Sequence, residues 1–157
     1  KETEAVNNQK TTLWSAALDN TEVKKYPDRE LNHYIEFNSD QLDQTAKQYG
    51  VSREDMLKQY DLDDEDEFNA VNEDSSKLRV KQEMLIQYIA DKENLSYTDK
   101  EKEALIKSFE AQGYDADAIE QQTGRTLEDY VHIELLYEKV LDFLLDNANI
   151  TGAPTTE

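Results

Sequence analysis

The sequence predicts an all-α fold in which a multi-helix body carries two helical-hairpin arms. Three observations lead to this prediction. Apolar residues recur at the three- and four-residue spacing of amphipathic helices. Ser/Thr-x-x-Asp/Glu patterns, which signal helix starts, precede several of these stretches, and the last stretch is much more apolar than the others. The sequence shows no alternating strand pattern, glycine-rich phosphate loop or internal repeat.

The first helix is predicted over residues 1–20, with Trp14 on its single apolar side. Large aromatic residues in a domain with few apolar residues are usually needed inside, so we expect Trp14 to pack against another helix. Residues 21–26 are predicted to be extended. Pro27 is expected at the first position of the second helix, where a missing N–H is harmless. That helix ends before Gly50, which tolerates the left-handed conformation.

The first arm is predicted over residues 27–77. In this arm, the second helix of the chain and a short helix that starts after Ser52 would pair as an antiparallel hairpin. The apolar inner face of this hairpin is narrow. Apart from Phe37, the apolar residues of its two helices are Leu31, Tyr34, Ile35, Leu42, Ala46, Tyr49, Met56, Leu57 and Tyr60.

An acidic run over residues 61–67 has two interpretations. The spacing of its first acidic residues matches a calcium loop, but Asp66 and Asn72 stand where such a loop needs glycine and glutamate. Acidic residues also favour the positive N-terminal end of a following helix. We therefore expect this run to begin a helix rather than to bind calcium, and we predict no metal site.

The following helix is long, over residues 64–92, and carries two apolar stripes. Its first half is polar and is expected to emerge from an exposed arm, whereas its second half is apolar on two sides and is expected in the core beside the final helix. The first stripe is Phe68, Val71, Leu78, Leu85 and Ile89, and the second is Val80, Met84 and Tyr88. A start signal at Thr98 opens another helix that stops at Gly113, and Asp115 caps a short helix over residues 116–123. These two helices form the second predicted arm, residues 98–125.

The final helix, which starts after Thr126, is the core helix of the prediction, because apolar residues cover more than one of its sides. We expect several other helices to pack against it. The predicted body consists of residues 1–26, 78–97 and 126–151. Together with the arms it forms one domain, residues 1–151, followed by a disordered tail, residues 152–157.

Composition limits the range of functions. With 37% hydrophobic and 34% charged residues the core must be small, and a net charge of −19 argues against nucleic acid and anionic membrane surfaces as partners. No apolar run is long enough for direct membrane insertion. Without cysteine there is neither a disulfide framework nor a thiolate site. Because the chain begins at Lys1, within a helical pattern, we expect it to be part of a longer or processed protein.

No residue pattern indicates an enzyme. The only histidines, His33 and His132, each lie on a predicted helix without a second histidine at ligand spacing. His33 and Glu36 share a helix face, but such a lone pair is usually a solvated contact. No serine or threonine stands in a nucleophile-elbow context. We therefore predict no catalysis by this chain and no cofactor.

Three segments resemble the C-terminal domain of bacterial trigger factor, whose fold is similar to that of SurA-type chaperones. One runs from Leu13-Trp14 to Tyr26-Pro27, one is residues 88–99, YIADKENLSYTD, and one is residues 139–148, KVLDFLLDNA. The resemblance implies an ATP-independent holdase or foldase that holds unfolded or nascent polypeptides in an open cradle. It also implies a cytoplasmic location; the alternative is a secreted or anchored protein whose targeting segment precedes Lys1. Ribosome docking and prolyl isomerase activity belong to upstream parts of that family.

Tyrosine and methionine suit promiscuous contacts, because one is amphipathic and the other flexible. The predicted client-binding residues are Tyr34, Phe37, Tyr49, Met56, Tyr60, Met84, Tyr88, Phe109 and Tyr114. For Tyr34 and Met84 a core role is favoured, because they lie on apolar stripes; for Phe37, Tyr49, Met56 and Tyr60 the two interpretations are equal. The acidic charge favours basic clients. The alternative function is a helical adaptor or dimerisation module with one specific partner. Whether the chain forms a homodimer is left open at this point.

Overall fold

The computed structural model describes residues 2–148, with side chains from residue 4 onward, and this range is all-α. The predicted tail, residues 152–157, lies outside the described residues. In chain order the helices are α1 Glu2–Asp19, α2 Asp28–Tyr49, α3 Arg53–Gln59, α4 Glu65–Glu93, α5 Asp99–Ala111, α6 Ala116–Thr123 and α7 Leu127–Asn147. The all-α prediction is confirmed.

Pro27 stands one position earlier than predicted. It is the N-cap of α2, with φ −70° and ψ 122°, and Asp28 is the first helical residue. The Pro27 carbonyl accepts from the N–H of Leu31 at 3.1 Å, so it already belongs to the helical hydrogen-bond pattern. The proline ring fixes φ but leaves ψ free, and the extended ψ moves the helix start one residue on. At the other end, Gly50 has φ 67°, as predicted.

The helix-start signals work differently for aspartate and glutamate. Thr98 accepts from the Glu101 N–H, and the Glu101 carboxylate accepts from the Thr98 N–H at 2.7 Å, which completes a capping box. Ser52 and Thr126 also accept from the backbone three residues on. In both of these caps, however, the aspartate three residues on accepts only from the cap hydroxyl, at 2.6 and 2.8 Å. Aspartate is one methylene shorter than glutamate and does not reach back to the cap N–H.

Close packing divides the chain into two compact units. One boundary falls between Glu22 and Val23, before α2, and the other falls inside α4, between Met84 and Leu85. Within the described residues, unit 1 contains α1, the last part of α4, and α5 to α7. Unit 2 contains α2, α3 and the first part of α4. The division into a body and two arms that the sequence suggested stays a prediction.

Unit 1 is organised around α7, which packs against α1, α5 and α6. This confirms the expectation that several helices contact the final helix. Trp14 of α1 is buried and meets the ring of Tyr137 edge-on, with 5.0 Å between ring centroids, so its predicted packing role is also confirmed. The buried residues of this core are Trp14, Leu85, Ile86, Ala90, Leu136, Val140 and Leu141.

Unit 2 has a separate small core where α2, α3 and the start of α4 meet. Its buried residues are Leu42, Ala46, Met56, Leu57 and Phe68, with Val51 and Leu62 partly buried against them. The start of α4 is held by its own acidic residues: the Glu67 N–H donates to Asp64 at 3.0 Å, and the Glu67 carboxylate accepts from the Asp63 N–H at 2.8 Å.

Among the seven helices of residues 2–148, none has the length and apolar character that a membrane span requires.

Candidate functional site

The predicted client-binding residues differ widely in exposure. Tyr34 and Met56 are buried, and Phe37 and Phe109 are half-buried. The exposed members are Tyr49 (70%), Tyr60 (56%), Met84 (37%), Tyr88 (60%) and Tyr114 (38%). Only exposed or half-buried side chains are available for client contact in this structure, so the candidate surface excludes Tyr34 and Met56.

Tyr34 belongs to the interior of unit 2 because α4 covers it. The Arg79 guanidinium lies over its ring, 4.1 Å from the centroid, and its hydroxyl donates to Glu83 at 2.7 Å. Arg79 and Glu83 are four residues apart on α4, so both sit on the same face of that helix. Met56 is buried in the core cluster of unit 2. Burial of both side chains agrees with the core interpretation, which was favoured for Tyr34 and was one of two equal interpretations for Met56.

The core role favoured for Met84 is wrong, because its side chain is 37% exposed. The stripe on α4 that contains Val71 and Leu78 is also not buried throughout: both side chains are about half exposed, at 52% and 48%. Sequence reasoning therefore missed Val71 and Leu78 as surface residues. The sequence does contain an indication that Val71 is exposed, because the acidic residues Asp74 and Glu67 lie three and four positions from it, on the same helix face.

An open groove of about 400 Å³ lies on unit 2, within the size range of about 300–1,000 Å³ found for ligand sites. It is lined by Asn38, Leu42, Tyr60, Leu62, Phe68, Val71, Asn72 and Ser75. Leu42 and Phe68 are buried, whereas Tyr60 and Val71 are exposed. Tyr60 is thus the predicted residue that this groove includes, while Tyr49 on the same unit does not line it.

A hydrogen-bonded group of polar side chains lies beside these apolar walls. The Asn38 amide donates to Asn72 Oδ1 at 2.8 Å and to the Ser76 hydroxyl at 3.3 Å. Ser76 donates to the same Asn72 oxygen at 3.2 Å, and Asn72 Nδ2 donates to the carbonyl of Ile35 at 2.9 Å. Asn72 and Ser76 are buried, so this network links α2 to α4 beneath the groove.

The edges of the groove are acidic. Asp61 lies between the lining residues Tyr60 and Leu62 in sequence, and Glu67 and Asp74 flank Val71 on its helix face. All three of these carboxylates are exposed. They give the rim of the groove a negative potential in a chain whose net charge is already −19.

The nearby cation Arg53 does not offset the charge of the rim. Its guanidinium bonds to Glu65 at 2.7 Å and to Asp43 at 2.8 Å, and it lies 4.9 Å from the centroid of the Phe68 ring. The hydrogen bond to Glu65, followed by that to Asp43, raises the pKa of Arg53 above its usual range. Arg53 is therefore already paired with two carboxylates, and its role is to hold α2, α3 and α4 together.

The exposed predicted residues of unit 1 lie outside this groove. Tyr88 on α4 carries Lys92 against its ring, with 5.5 Å from Nζ to the centroid. Phe109 of α5 packs on Tyr130 of α7 at 5.7 Å between centroids, which accounts for its partial burial. Tyr114 follows α5 and is exposed. These residues are separate candidates for client contact.

His132 and Glu134 lie partly buried on α7. His132 Nδ1 lies 2.8 Å from the Tyr97 hydroxyl, and its Nε2 lies 3.4 Å from Gln87 Oε1. Burial, with a smaller contribution from Glu138, raises the pKa of Glu134 on α7. In residues 2–148 no three histidine or carboxylate side chains converge in the way that a metal ion requires. The run over residues 61–67 instead supplies the hydrogen bonds at the start of α4.

Comparison with known proteins identifies the family. The sequence model described as "Bacterial trigger factor protein (TF) C-terminus" matches residues 1–146. The trigger factor of Staphylococcus saprophyticus is 29% identical over 154 residues, which cover 96% of this chain and 34% of that protein. The trigger factors of Bacillus pumilus and Bacillus subtilis are 29% and 28% identical over 151 residues, which cover 94% of this chain and 34% of each protein.

The chain thus spans only 34% of the length of these curated relatives. No solved structure gives a significant match. Because the family match extends over almost the whole sequence, the chain belongs to the bacterial trigger factor C-terminus family.

Proposed function

We propose that this chain is the ATP-independent chaperone part of a trigger factor and that it binds unfolded or nascent polypeptides. The observation that carries this proposal is the open apolar groove of unit 2, whose exposed residues Tyr60 and Val71 stand beside an acidic rim. Isolated exposed apolar residues are normal on protein surfaces. An apolar groove with exposed aromatic and aliphatic walls is a typical docking surface for polypeptide segments.

Further weak contacts in this proposal come from the half-buried Phe37 and Phe109 and from the exposed residues Tyr49, Met84, Tyr88 and Tyr114. Each contributes little alone, and several together give binding that is distributed and easily reversed. Such contacts suit clients that share no sequence. A chaperone role needs neither catalysis nor a cofactor from this chain. As part of the same proposal, we assign the activity to the cytoplasm.

We further propose that basic clients bind best. With a net charge of −19, the chain attracts cationic segments, and the rim residues Asp61, Glu67 and Asp74 place part of that charge beside the groove. Screening weakens such attraction, since the Debye length falls to about 8 Å at physiological ionic strength. Apolar contacts survive this screening. The two contributions are therefore separable by salt.

The test is suppression of aggregation of one reduced, basic client, such as lysozyme, before and after succinylation of its lysines. The two forms share one sequence and differ in charge, which isolates the electrostatic contribution. We expect protection of both forms at near-equimolar ratios, stronger for the basic form at low salt and nearly equal for the two at about 0.3 M salt. Absence of protection for both forms would refute the proposed function.

A matched pair of variants locates the contact. Tyr60→Ser removes an exposed tyrosine that lines the groove, whereas Tyr49→Ser removes one that does not. Both changes delete the same atoms from exposed positions on unit 2, so their effects on solubility and stability should be similar. We expect Tyr60→Ser to raise the chaperone concentration needed for half-maximal protection more than Tyr49→Ser does. The reverse order would exclude the groove as the main contact.

A further inference from the structure

The side-chain network under the groove fixes the orientation of the Asn38 amide. A backbone carbonyl is only an acceptor, so the contact between Asn72 and the Ile35 carbonyl must come from Asn72 Nδ2. Asn72 Oδ1 therefore faces Asn38 and Ser76 and accepts from both. Asn38 must in turn present its NH2 group to Asn72. Neither amide can flip without losing a hydrogen bond.

As a result, Asn38 Oδ1 faces away from the network. Among residues 2–148 no donor contacts this oxygen, and in the same range no buried side-chain oxygen or nitrogen lacks a partner. Asn38 Oδ1 is therefore in contact with solvent. Because Asn38 lines the groove together with Leu42, Phe68 and Val71, a hydrogen-bond acceptor of fixed orientation stands beside an apolar pocket.

We propose that the groove binds one apolar side chain of an extended polypeptide segment and that Asn38 Oδ1 accepts the backbone N–H of that segment. This inference rests on the proposed chaperone function and describes how a client contacts unit 2. Every residue except proline carries a backbone N–H, so such an acceptor adds affinity without demanding a sequence. It predicts that proline is rejected at the bound position.

Charge complementarity selects the occupant. The exposed carboxylates Asp61, Glu67 and Asp74 beside the groove favour a segment whose anchoring apolar residue is flanked by lysines. A second copy of this chain carries the same acidic rim and the same net charge of −19. Like charges across an interface oppose association, so the groove favours a cationic client over self-association.

The test uses the whole chain, labelled with ¹⁵N, and a short unstructured peptide of lysine, glycine and serine with one central leucine. Titration followed by NMR measures weak binding directly and reports on the amide groups of Asn38 and Val71. A second peptide replaces the N–H of the leucine by an ester oxygen, which removes the donor and keeps the shape. A third peptide has serine in place of leucine.

We expect the parent peptide to shift the resonances of Asn38 and Val71, and the serine peptide to bind more weakly. For the wild-type chain the ester should weaken binding about fivefold, since a hydrogen bond contributes about 1 kcal/mol net and 1.4 kcal/mol is tenfold. In Asn38→Ala the ester should weaken binding less than about 1.5-fold, because the acceptor is gone. The matched control is Asn69→Ala, which changes an exposed asparagine of α4 that does not line the groove, and it should keep the fivefold difference.

This comparison separates a binding role from a structural one, because any loss of stability in Asn38→Ala affects both peptides equally. Equal ester penalties in the wild-type chain and in Asn38→Ala would overturn the proposed hydrogen bond. A parent peptide that shifts no resonance of the groove would overturn the proposed site. In either case, protection in the aggregation assay would leave the chaperone function standing, whereas loss of that protection as well would refute both proposals.

Discussion

The two methionines of the chain test the distinction between core and surface that the structure draws among the predicted client-binding residues. Met56 is 2% exposed in the core of unit 2, whereas Met84 is 37% exposed on α4. Both lie on helices, and alanine is the best helix former, so replacing either by alanine changes mainly side-chain packing. The pair therefore compares one chemical deletion in two environments.

Met56→Ala should destabilise the chain by about 2–5 kcal/mol, because the deleted side chain leaves a cavity that its neighbours fill only in part. Met84→Ala should cost less than about 1 kcal/mol, as expected for a partly exposed position. Urea denaturation followed by circular dichroism measures both changes. Peroxide oxidation followed by mass spectrometry gives an independent check, since the exposed Met84 should oxidise first.

Equal losses of stability for the two variants would refute the assignment of Met56 to the core. So would faster oxidation of Met56 than of Met84. If instead Met56→Ala unfolds at much lower urea while Met84→Ala resembles the wild type, the candidate client surface retains Met84 and loses Met56. The same measurement would then support the separate core of unit 2.

Three further predictions concern unit 1. The ion pair with Lys139 and the Thr98 cap lower the pKa of Glu101 to about 2. A carboxyl whose pKa is lower in the folded than in the unfolded state stabilises the fold at pH values above its unfolded pKa. This stabilisation is lost as the pH falls from about 5 to about 2. The melting temperature of Glu101→Gln should therefore fall less than that of the wild type over this window. Asp129→Glu should complete the capping box at Thr126 and raise the free energy of unfolding by about 0.3–1 kcal/mol in urea titrations. Trp14→Ala should cost about 3–5 kcal/mol in the same titrations, measured by circular dichroism, because the buried ring packs on α7.

Helix positions were predictable because their determinants are local. A capping residue, a glycine or a proline lies within a few residues of the backbone hydrogen bond that it makes or prevents. Gly50 and Asp115 illustrate this, since one ends α2 with a left-handed φ of 67° and the other caps α6 with its side chain. Pro27 shows the limit of such reasoning, because its ψ angle depends on how the preceding extended segment enters the helix.

Burial was less predictable because periodicity identifies a helix face without identifying its partner. Tyr34 and Met84 both lie on apolar stripes of helical spacing, and for both the sequence favours a core position. Tyr34 is covered because Arg79 and Glu83 of α4 lie against it, at positions that no local pattern in α2 reveals. Met84 has no comparable cover. Its exposure is a property of the tertiary structure.

The acceptor beside the groove could not be inferred from the sequence at all. Asn38 and Asn72 are far apart in the chain, and asparagine on a helix usually signals an exposed position or a cap. Their pairing depends on the antiparallel approach of α2 and α4, and the orientation of Asn38 depends in addition on the Ile35 carbonyl. Such networks are specified by tertiary geometry, although each hydrogen bond in them is ordinary.

The acidic residues near the groove serve both folding and the proposed binding, and these roles can be separated. Asp64 and Glu67 accept backbone hydrogen bonds at the start of α4, and Glu67 also lies on the groove edge. Asparagine and glutamine keep an accepting oxygen at the same place, so the double variant Asp64→Asn, Glu67→Gln should retain these hydrogen bonds while removing two charges. We expect it to bind the lysine-rich peptide about two- to fivefold more weakly at low salt, since exposed charge pairs contribute about 0.2–1 kcal/mol.

The matched control for this variant is Asp28→Asn, which removes one charge from the first turn of α2, ten residues and therefore about 15 Å along the helix from the groove residue Asn38. If attraction were spread evenly over an acidic surface, this single change would cost about half as much binding as the double variant. If instead the rim of the groove is where the peptide lies, Asp28→Asn should leave binding unchanged at about 0.1 M salt. Screening limits the reach of each surface charge to about 10 Å at 0.1 M salt. A local effect at Asp64 and Glu67 therefore means that the cationic segment is held beside α4, and a uniform effect would contradict the groove as its site.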